Sequence, residues 1–517
     1  MKSARRLVGF LGLAALGMAA FYGVVHFDLA RFVSLKAAQS TRVLHTGHKS
    51  NTTGHAHINS SPDVTTLNDA PAQDMPEVVR WYCNTPRRLE GEEGQVPDGF
   101  RLKAVFVVTR HGDRVPMETL PNVKYNYNSW TCKLDPGKWP SDPLLSSFVK
   151  SAEMLRTRPN IFGSSAKGLV SMSPYPNSAG GPSKLTQTGV AQLLRVGEKL
   201  RRAYIDSKLL TAGDTEDQFT VITTPYSRTY QSATALMYGV LQDDLFKIRV
   251  HQENNVLFCG ANCRCPLRNE YMKQFKSVDA KYFSQNAEFA AALETVAKTL
   301  NSKVANVRYK IIDALFGHVC NKLDLPCTTQ THACLEREHA RNVLKFVNKD
   351  EEQRRESFND YSRLAIQPLL SSIANRMARL VEEKTEVAKF VVYSGHDMTV
   401  TPLLSVLGLT HARWVPYATH VVMEMWERDH HEDSQTSFEK NSTLTKPGRL
   451  ELKQAATSLK GTFVRFIHMG RDVTDRLGFC TGKLQARLCP LEEFLEFVEH
   501  GVFQKFGKDS YTEACTP

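Results

Sequence analysis

Five short runs rich in valine and other apolar residues, 102–109, 218–223, 389–394, 420–426 and 463–469, alternate with longer stretches of helical periodicity. That alternation constrains the fold more than any other feature of the chain. Runs of six to eight residues without polar alternation read as strands buried on both faces, as happens where crossover helices cover a sheet. Between the runs, Thr188–Tyr204 gathers Val190, Leu193, Leu194, Gly197 and Leu200 on one face. Ser227–Leu241 gathers Ala233, Leu236, Met237 and Val240, and a third helix is expected over Met398–Leu407. The expectation is an α/β domain over 81–517, a mostly parallel sheet with helices on both faces. The stretch 265–385 is charged, helical in period and without a Val-rich run, which marks an inserted helical cap subdomain. Residues 131–184, full of Pro, Ser and Gly, read as a second, irregular insertion. Crevices in open α/β sheets lie at the carboxyl ends of strands, so both insertions are placed to roof one. The polar excursion 428–461 is expected to be a hairpin or a disordered loop.

Ahead of this domain, Leu7–Val25 is an unbroken apolar run preceded by Lys2, Arg5 and Arg6. Its nineteen residues at about 1.5 Å each reach roughly 28 Å, close to the hydrocarbon thickness and longer than a signal-peptide core. The expected division is a cytosolic tail over 1–6, a transmembrane signal anchor over 7–27 and a lumenal remainder, by the positive-inside rule. Cleavage after Ala19 is the alternative. Residues 28–80 lack apolar periodicity and carry sequons at Asn51 and Asn59, which suits a disordered, glycosylated stem; a third sequon stands at Asn441. His45, His48, His55 and His57 fall in that stem with no Cys or carboxylate to complete a metal site.

All eleven cysteines follow the anchor, on the side assigned to an oxidising compartment, so disulfides are the default. Cys259, Cys263 and Cys265, and Cys320, Cys327 and Cys334 beside His318 and His339, do not match the paired C-x2-C spacing of zinc sites. The odd total leaves at least one thiol unpaired within the chain. A composition of 42% hydrophobic and 23% charged residues excludes collagen, coiled coil, a multi-span membrane protein and global disorder. The net charge of +11 favours anionic partners. Its basic residues are scattered and no groove-reading motif accompanies them, so nucleic acid is not expected.

The chemistry concentrates at three strand ends. After the first run comes Arg110-His111-Gly112-Asp113-Arg114-Val115-Pro116, where two arginines flank one histidine across a sharp turn and can converge on one anion. After the second comes Thr224-Pro225-Tyr226-Ser227-Arg228, with Arg228 at a helix start that itself favours anions. After the third comes Gly395-His396-Asp397. Each turn alone is weak evidence. Their shared placement is much more specific.

Together, the R-H-G-D-R-x-P turn, the S-R-T-x-x-S-A helix start and the G-H-D turn resemble the histidine acid phosphatase family, branch two of the histidine phosphatase superfamily. The match runs in order from about Cys83 to Cys515. Tyr82-Cys83-Asn84, Leu185–Val190, Leu257-Phe258-Cys259, Cys263-Arg264-Cys265-Pro266, Pro326-Cys327 and Cys489–Glu492 are similar to the membrane-anchored branch of that family in the secretory pathway.

The resemblance implies a phosphohistidine mechanism: His111 as nucleophile, Arg110, Arg114, Arg228 and His396 holding the phosphoryl oxygens, and Asp397 as proton donor to the leaving alcohol. It implies no cofactor and no metal. It also implies removal of the 2-O-phosphate of xylose in the glycosaminoglycan linker of proteoglycan core proteins, by a single-pass type II protein of the Golgi membrane, with glycosyltransferases of the linker pathway as partners.

Elementary chemistry agrees. Three arginines stabilise a phosphoryl group whose charge spreads over three equatorial oxygens, and they supply the positive charge a metal would bring. They also depress the histidine's pKa, so that it attacks as neutral imidazole. A sugar alkoxide leaves poorly, so Asp397 is expected to arrive protonated. Asp113 is expected to orient Arg114 or Arg110 through a salt bridge, direct proton transfer being the alternative. A broad acid or inositol-phosphate phosphatase, and a catalytically silent lumenal module binding anionic glycans, are the rival functions.

Overall fold

A computed structural model of the chain describes residues 74–157, 172–210, 218–242, 249–252, 258, 264–347, 352–382, 388–409, 414–429, 459, 461–508 and 510–515. The expected anchor at 7–27, the expected stem as far as residue 73, the sequons at Asn51, Asn59 and Asn441, and residues 430–458 of the polar excursion lie outside the described residues. Among the described residues, no helix is long and apolar enough to cross a membrane.

All five Val-rich runs form strands: β1 (Phe100–Arg110), β2 (Phe219–Thr223), β4 (Phe390–Gly395), β5 (His420–Arg428) and β6 (Thr462–His468). The short β3 (Arg249–Gln252), β7 (Arg471–Asp472) and β8 (Cys489–Pro490) complete one sheet, in the order β3-β2-β4-β1-β5-β6-β7 with β8 beside β6. Strands β3, β2, β4 and β1 run parallel, whereas β5 to β8 add antiparallel pairings. The sheet is therefore mixed and not mostly parallel. Val-rich runs report burial on both faces, and β5 and β6 are buried on both without being parallel to their neighbours.

The helices are α1 (Glu77–Cys83), α2 (Pro143–Thr157), α3 (Gln187–Leu200), α4 (Ser227–Leu241), α5 (Pro266–Gln285), α6 (Ala287–Thr299), α7 (Val304–Cys320), α8 (Arg337–Leu344), α9 (Glu352–Val381), α10 (Asp397–Val406), α11 (Leu491–Glu496) and α12 (Tyr511–Cys515). Val105, Val107, Val221, Val392 and Val422 of the sheet pack with Leu193 and Leu194 of α3 and Leu236 and Met237 of α4. The two helices touch backbone to backbone, since a Cβ on Gly197 would lie 2.0 Å from the Leu236 carbonyl oxygen. On the opposite face, Tyr393 of β4 reaches Ser372 of α9 at 3.4 Å, and α10 lies against β1 and β4. The insertion expected at 265–385 is mostly helical in its described part, broken by the non-helical stretch 321–336, with α6, α7 and α8 sharing an apolar core.

Two boundaries differ from expectation. Met75, Val79 and Tyr82 are buried in the cap's core, so folded chain begins before the boundary expected at 80/81. The Pro- and Ser-rich 131–184 is not wholly irregular, because α2 lies inside it and buries Leu145, Phe148 and Ala152 against the sheet side. Disulfides join Cys83 to Cys320, Cys265 to Cys515, Cys327 to Cys334 and Cys480 to Cys489. Among the described residues Cys132 is the free thiol; burial pushes it up to about 12, which makes it inert.

Candidate active site

The parallel half of the sheet delivers its loops to one edge. Strands β1 and β4 pair in register to Arg110 and Gly395, and β2 pairs with β4 to Thr223 and Ser394, so the three turns leave the sheet side by side. The amide of His111 donates to the Gly395 carbonyl oxygen at 3.0 Å. The rings of His111 and His396 lie 5.5 Å apart, and Arg228 Nη2 approaches His396 Nδ1 at 3.3 Å. Residues separated by nearly three hundred positions thus meet within side-chain reach.

His111 is 2% exposed, and its Nδ1 lies 2.8 Å from the Gly112 carbonyl oxygen. A carbonyl only accepts, so Nδ1 carries the proton and Nε2 keeps its lone pair. Burial, then Arg228 and Arg110, hold this imidazole well below its ordinary pKa. The turn behind it is clamped: Gly112 donates to Ser232 Oγ at 3.1 Å, and Asp113 N to Gln192 Oε1 at 2.8 Å.

The three arginines have different surroundings. Arg110 is fully buried, with Nη1 donating to the Val415 carbonyl, Nη2 to Tyr82 Oη at 2.9 Å, and its guanidinium 4.3 Å from the centre of the Tyr417 ring. It also lies 3.8 Å from Asp397 Oδ2. Arg114 forms a paired contact with Asp313 of α7, at 3.0 and 3.2 Å. Arg228 stands in the first turn of α4 with Tyr226 against its guanidinium, 4.6 Å from the ring centre. Burial, and then Arg114, lower it to about 10, so it keeps its charge at neutral pH. In all three the Nε–H is buried and has no protein partner. Three unmatched donors around one imidazole are costly, and an oxyanion ligand would satisfy them.

His396 has both nitrogens engaged. A guanidinium can only donate, so Nδ1 accepts from Arg228 and Nε2–H donates to Thr224 Oγ1 at 2.9 Å. Burial and Arg228 lower it to about 3. Holding a phosphoryl oxygen, the role expected for it, requires one of these bonds to be exchanged. Asp397 opens α10 and accepts from the Met398 amide at 2.8 Å. Burial raises its pKa, but Arg110, Arg114 and His396 together outweigh this and hold it below the ordinary carboxyl range. The proton expected on Asp397 is therefore disfavoured by its neighbours, and only added negative charge in the pocket would reverse that.

Asp113 does not take the expected salt bridge. Its Oδ1 accepts from Thr186 Oγ1 at 2.6 Å and Asn321 Nδ2 at 2.8 Å, and burial raises its pKa to about 6. Asp313 pairs with Arg114 instead. It was missed because the partners lie 199 positions apart, although a carboxylate set among Ile311, Ile312, Ala314 and Leu315 was a visible anomaly. Tyr82, which carries Arg110, was missed as well; its place beside Cys83 was the available signal.

Comparison with known proteins agrees with this geometry. The family model of the histidine phosphatase superfamily (branch 2) matches residues 101–442. 2-Phosphoxylose phosphatase 1 of Danio rerio is 34% identical over 469 residues, covering 86% of this chain and 88% of its own. The Xenopus tropicalis protein of that name is 32% identical, covering 87% and 84%. The Homo sapiens one is 31% identical, covering 88% and 89%. With a matching family model over most of its folded part and relatives of this extent, the chain is a phosphatase and belongs to branch 2 of the histidine phosphatase superfamily.

Proposed function

We propose that the protein removes the 2-O-phosphate of xylose in the glycosaminoglycan linker of proteoglycans through a phosphohistidine on His111. The observation that carries the chemistry is the set of three buried, unmatched Nε–H donors of Arg110, Arg114 and Arg228 around a histidine whose Nε2 is unprotonated. Nε2 attacks the phosphorus, the ester bond to the sugar oxygen breaks, and Asp397 supplies the proton to that oxygen. Water then attacks the phosphohistidine and returns the enzyme with inorganic phosphate. The charge of the bound ester offsets the arginines that hold Asp397 ionised, so the carboxyl takes up its proton together with the substrate. The arginines stabilise the charge that develops on the phosphoryl oxygens. The sugar comes from the named activity of the relatives. A Golgi membrane location, with the catalytic domain lumenal and glycosyltransferases of the linker pathway nearby, is part of this proposal and is supported by the apolar run Leu7–Val25 and the disulfides.

The test uses the purified full-length chain on a 2-phosphoxylosyl linker and on p-nitrophenyl phosphate. His111→Ala abolishes turnover of both. Asp397→Asn lowers kcat on the linker by about 10²- to 10⁴-fold, and on the nitrophenyl ester far less, because only the sugar needs a proton to leave. Equal losses on the two esters would remove Asp397 from the donor role, and an active His111→Ala would end the phosphohistidine mechanism.

A further inference from the structure

The arginine cradle recognises the phosphoryl end of the ester and leaves its alcohol unread. Discrimination between phosphomonoesters has to come from groups beyond the phosphorus. Among the described residues, six large apolar side chains stand well out in water: Trp81, Val96, Met117, Met154, Tyr226 and Met398. Three of these adjoin the cradle in the chain, Met117 just after Arg114, Tyr226 just before Arg228 and Met398 next to Asp397. Single exposed apolar side chains need no explanation, but their grouping around one charged pocket does.

Tyr226 is the most constrained of the three. It is 46% exposed, yet its ring meets His396 edge-on at 5.0 Å and 86° and carries the Arg228 guanidinium at 4.6 Å. Its carbonyl accepts from the Thr229 and Tyr230 amides, and its own amide donates to Thr224. The backbone is thereby fixed, the ring is fixed by a cation and an imidazole that belong to the phosphate site, and nearly half of its surface remains in water. Such a ring is preorganised for contact. Met398 is likewise exposed, at 45%, beside the carboxyl group assigned to the leaving oxygen.

A pyranose carries C–H bonds on its faces and hydroxyls on its rim, so an aromatic ring is its natural apolar partner. A xylopyranose lacks the hydroxymethyl arm and lies flat on such a surface. A 2-phosphate sets the sugar ring one oxygen from the phosphorus, next to the guanidinium that Tyr226 touches. Resting on the phosphoxylose reading above, we infer that Tyr226 is a specificity-determining residue that stacks on the pyranose ring of the substrate, with Met398 packing against the sugar's edge.

The experiment compares the full-length enzyme on methyl β-xyloside 2-phosphate and on glycerol 2-phosphate, a secondary-alcohol ester with no ring to stack. The quantity read is the ratio of the two kcat/KM values. Tyr226→Ala is expected to lower that ratio about five- to tenfold, mostly through KM for the xyloside, while Tyr226→Phe keeps it. Met398→Ala lowers it in the same direction by less. A wild-type preference for the xyloside that survives Tyr226→Ala overturns the stacking and leaves the phosphoxylose reading intact. A fall in both kcat/KM values at constant ratio also overturns it, by reducing Tyr226 to a support for Arg228. A wild type with no preference sinks the phosphoxylose reading and takes the stacking with it.

Discussion

The proton inventory of the site is set residue by residue. His111 is kept neutral mainly by burial and secondarily by Arg228, Arg110, His396 and Arg114. For a base, a depressed pKa means that the attacking form survives as the medium turns acid, and is lost only when pH falls through the lowered value. Arg228 is the largest of the charge contributions on His111; it also interacts with Asp397, whose protonation governs the opposite, basic limb. Arg228→Gln should therefore move the acid limb of the single-turnover phosphorylation rate to higher pH. The limb stays below that of an ordinary imidazole, because burial remains. Rapid-quench measurement of phosphoenzyme from acid to neutral pH reads the shift directly; an acid limb in the wild-type position would mean that Arg228 does not control His111.

At the scale of elements, the turn that carries His111 is held by the start of α3. Thr186 caps that helix by accepting from the Gly189 amide at 3.2 Å and also donates to Asp113 Oδ1. The packing is backbone on backbone: a Cβ on Gly189 would lie 2.3 Å from the Asp113 carbonyl oxygen, and one on Gly112 would lie 2.3 Å from that of Gly189. Neither neighbour can rotate away. Gly189→Ala is thus expected to displace the turn, costing about 1–3 kcal/mol of stability and lowering kcat by around 100-fold, since misplacing a nucleophile by about 1 Å is that expensive. Gly478→Ala, where a Cβ meets nothing within 4 Å, is the control and leaves both unchanged. The three turns that the structure brings together were legible in the sequence because strand ends concentrate conspicuous residue types next to Val-rich runs. Strands β3, β7 and β8 were not, because elements of four, two and two residues carry no period. Strand direction was illegible for a different reason, since burial on both faces erases the alternation that would mark β5 and β6 as antiparallel. The helix α2 hid behind a composition of Pro and Ser that suits loops.

Across the whole molecule, the site is completed by a part of the chain remote from the sheet. Asp313 of α7 holds Arg114, and Tyr82 of α1 holds Arg110. Tyr82 stacks on Phe316 of α7 with ring centres 3.8 Å apart, and the Cys83–Cys320 disulfide ties the two helices one residue away. This crosslink closes 237 positions of sequence, against nine for Cys480–Cys489. In the chain-entropy picture the longer loop contributes more, within a range of about 2–5 kcal/mol for a native bridge. It also holds α1, and with it the hydroxyl that accepts from the fully buried Arg110. Replacing Cys83 and Cys320 together by Ala should lower Tm by several degrees. It should also cut kcat about tenfold at temperatures where the protein remains folded, because Arg110 then loses a fixed partner beside Asp397. Replacing Cys480 and Cys489 should lower Tm less and leave kcat alone, as neither residue touches the cradle. Thermal unfolding and initial rates on the same samples separate the two effects, and equal kcat values for both pairs would show that the cap supports the fold without tuning the chemistry.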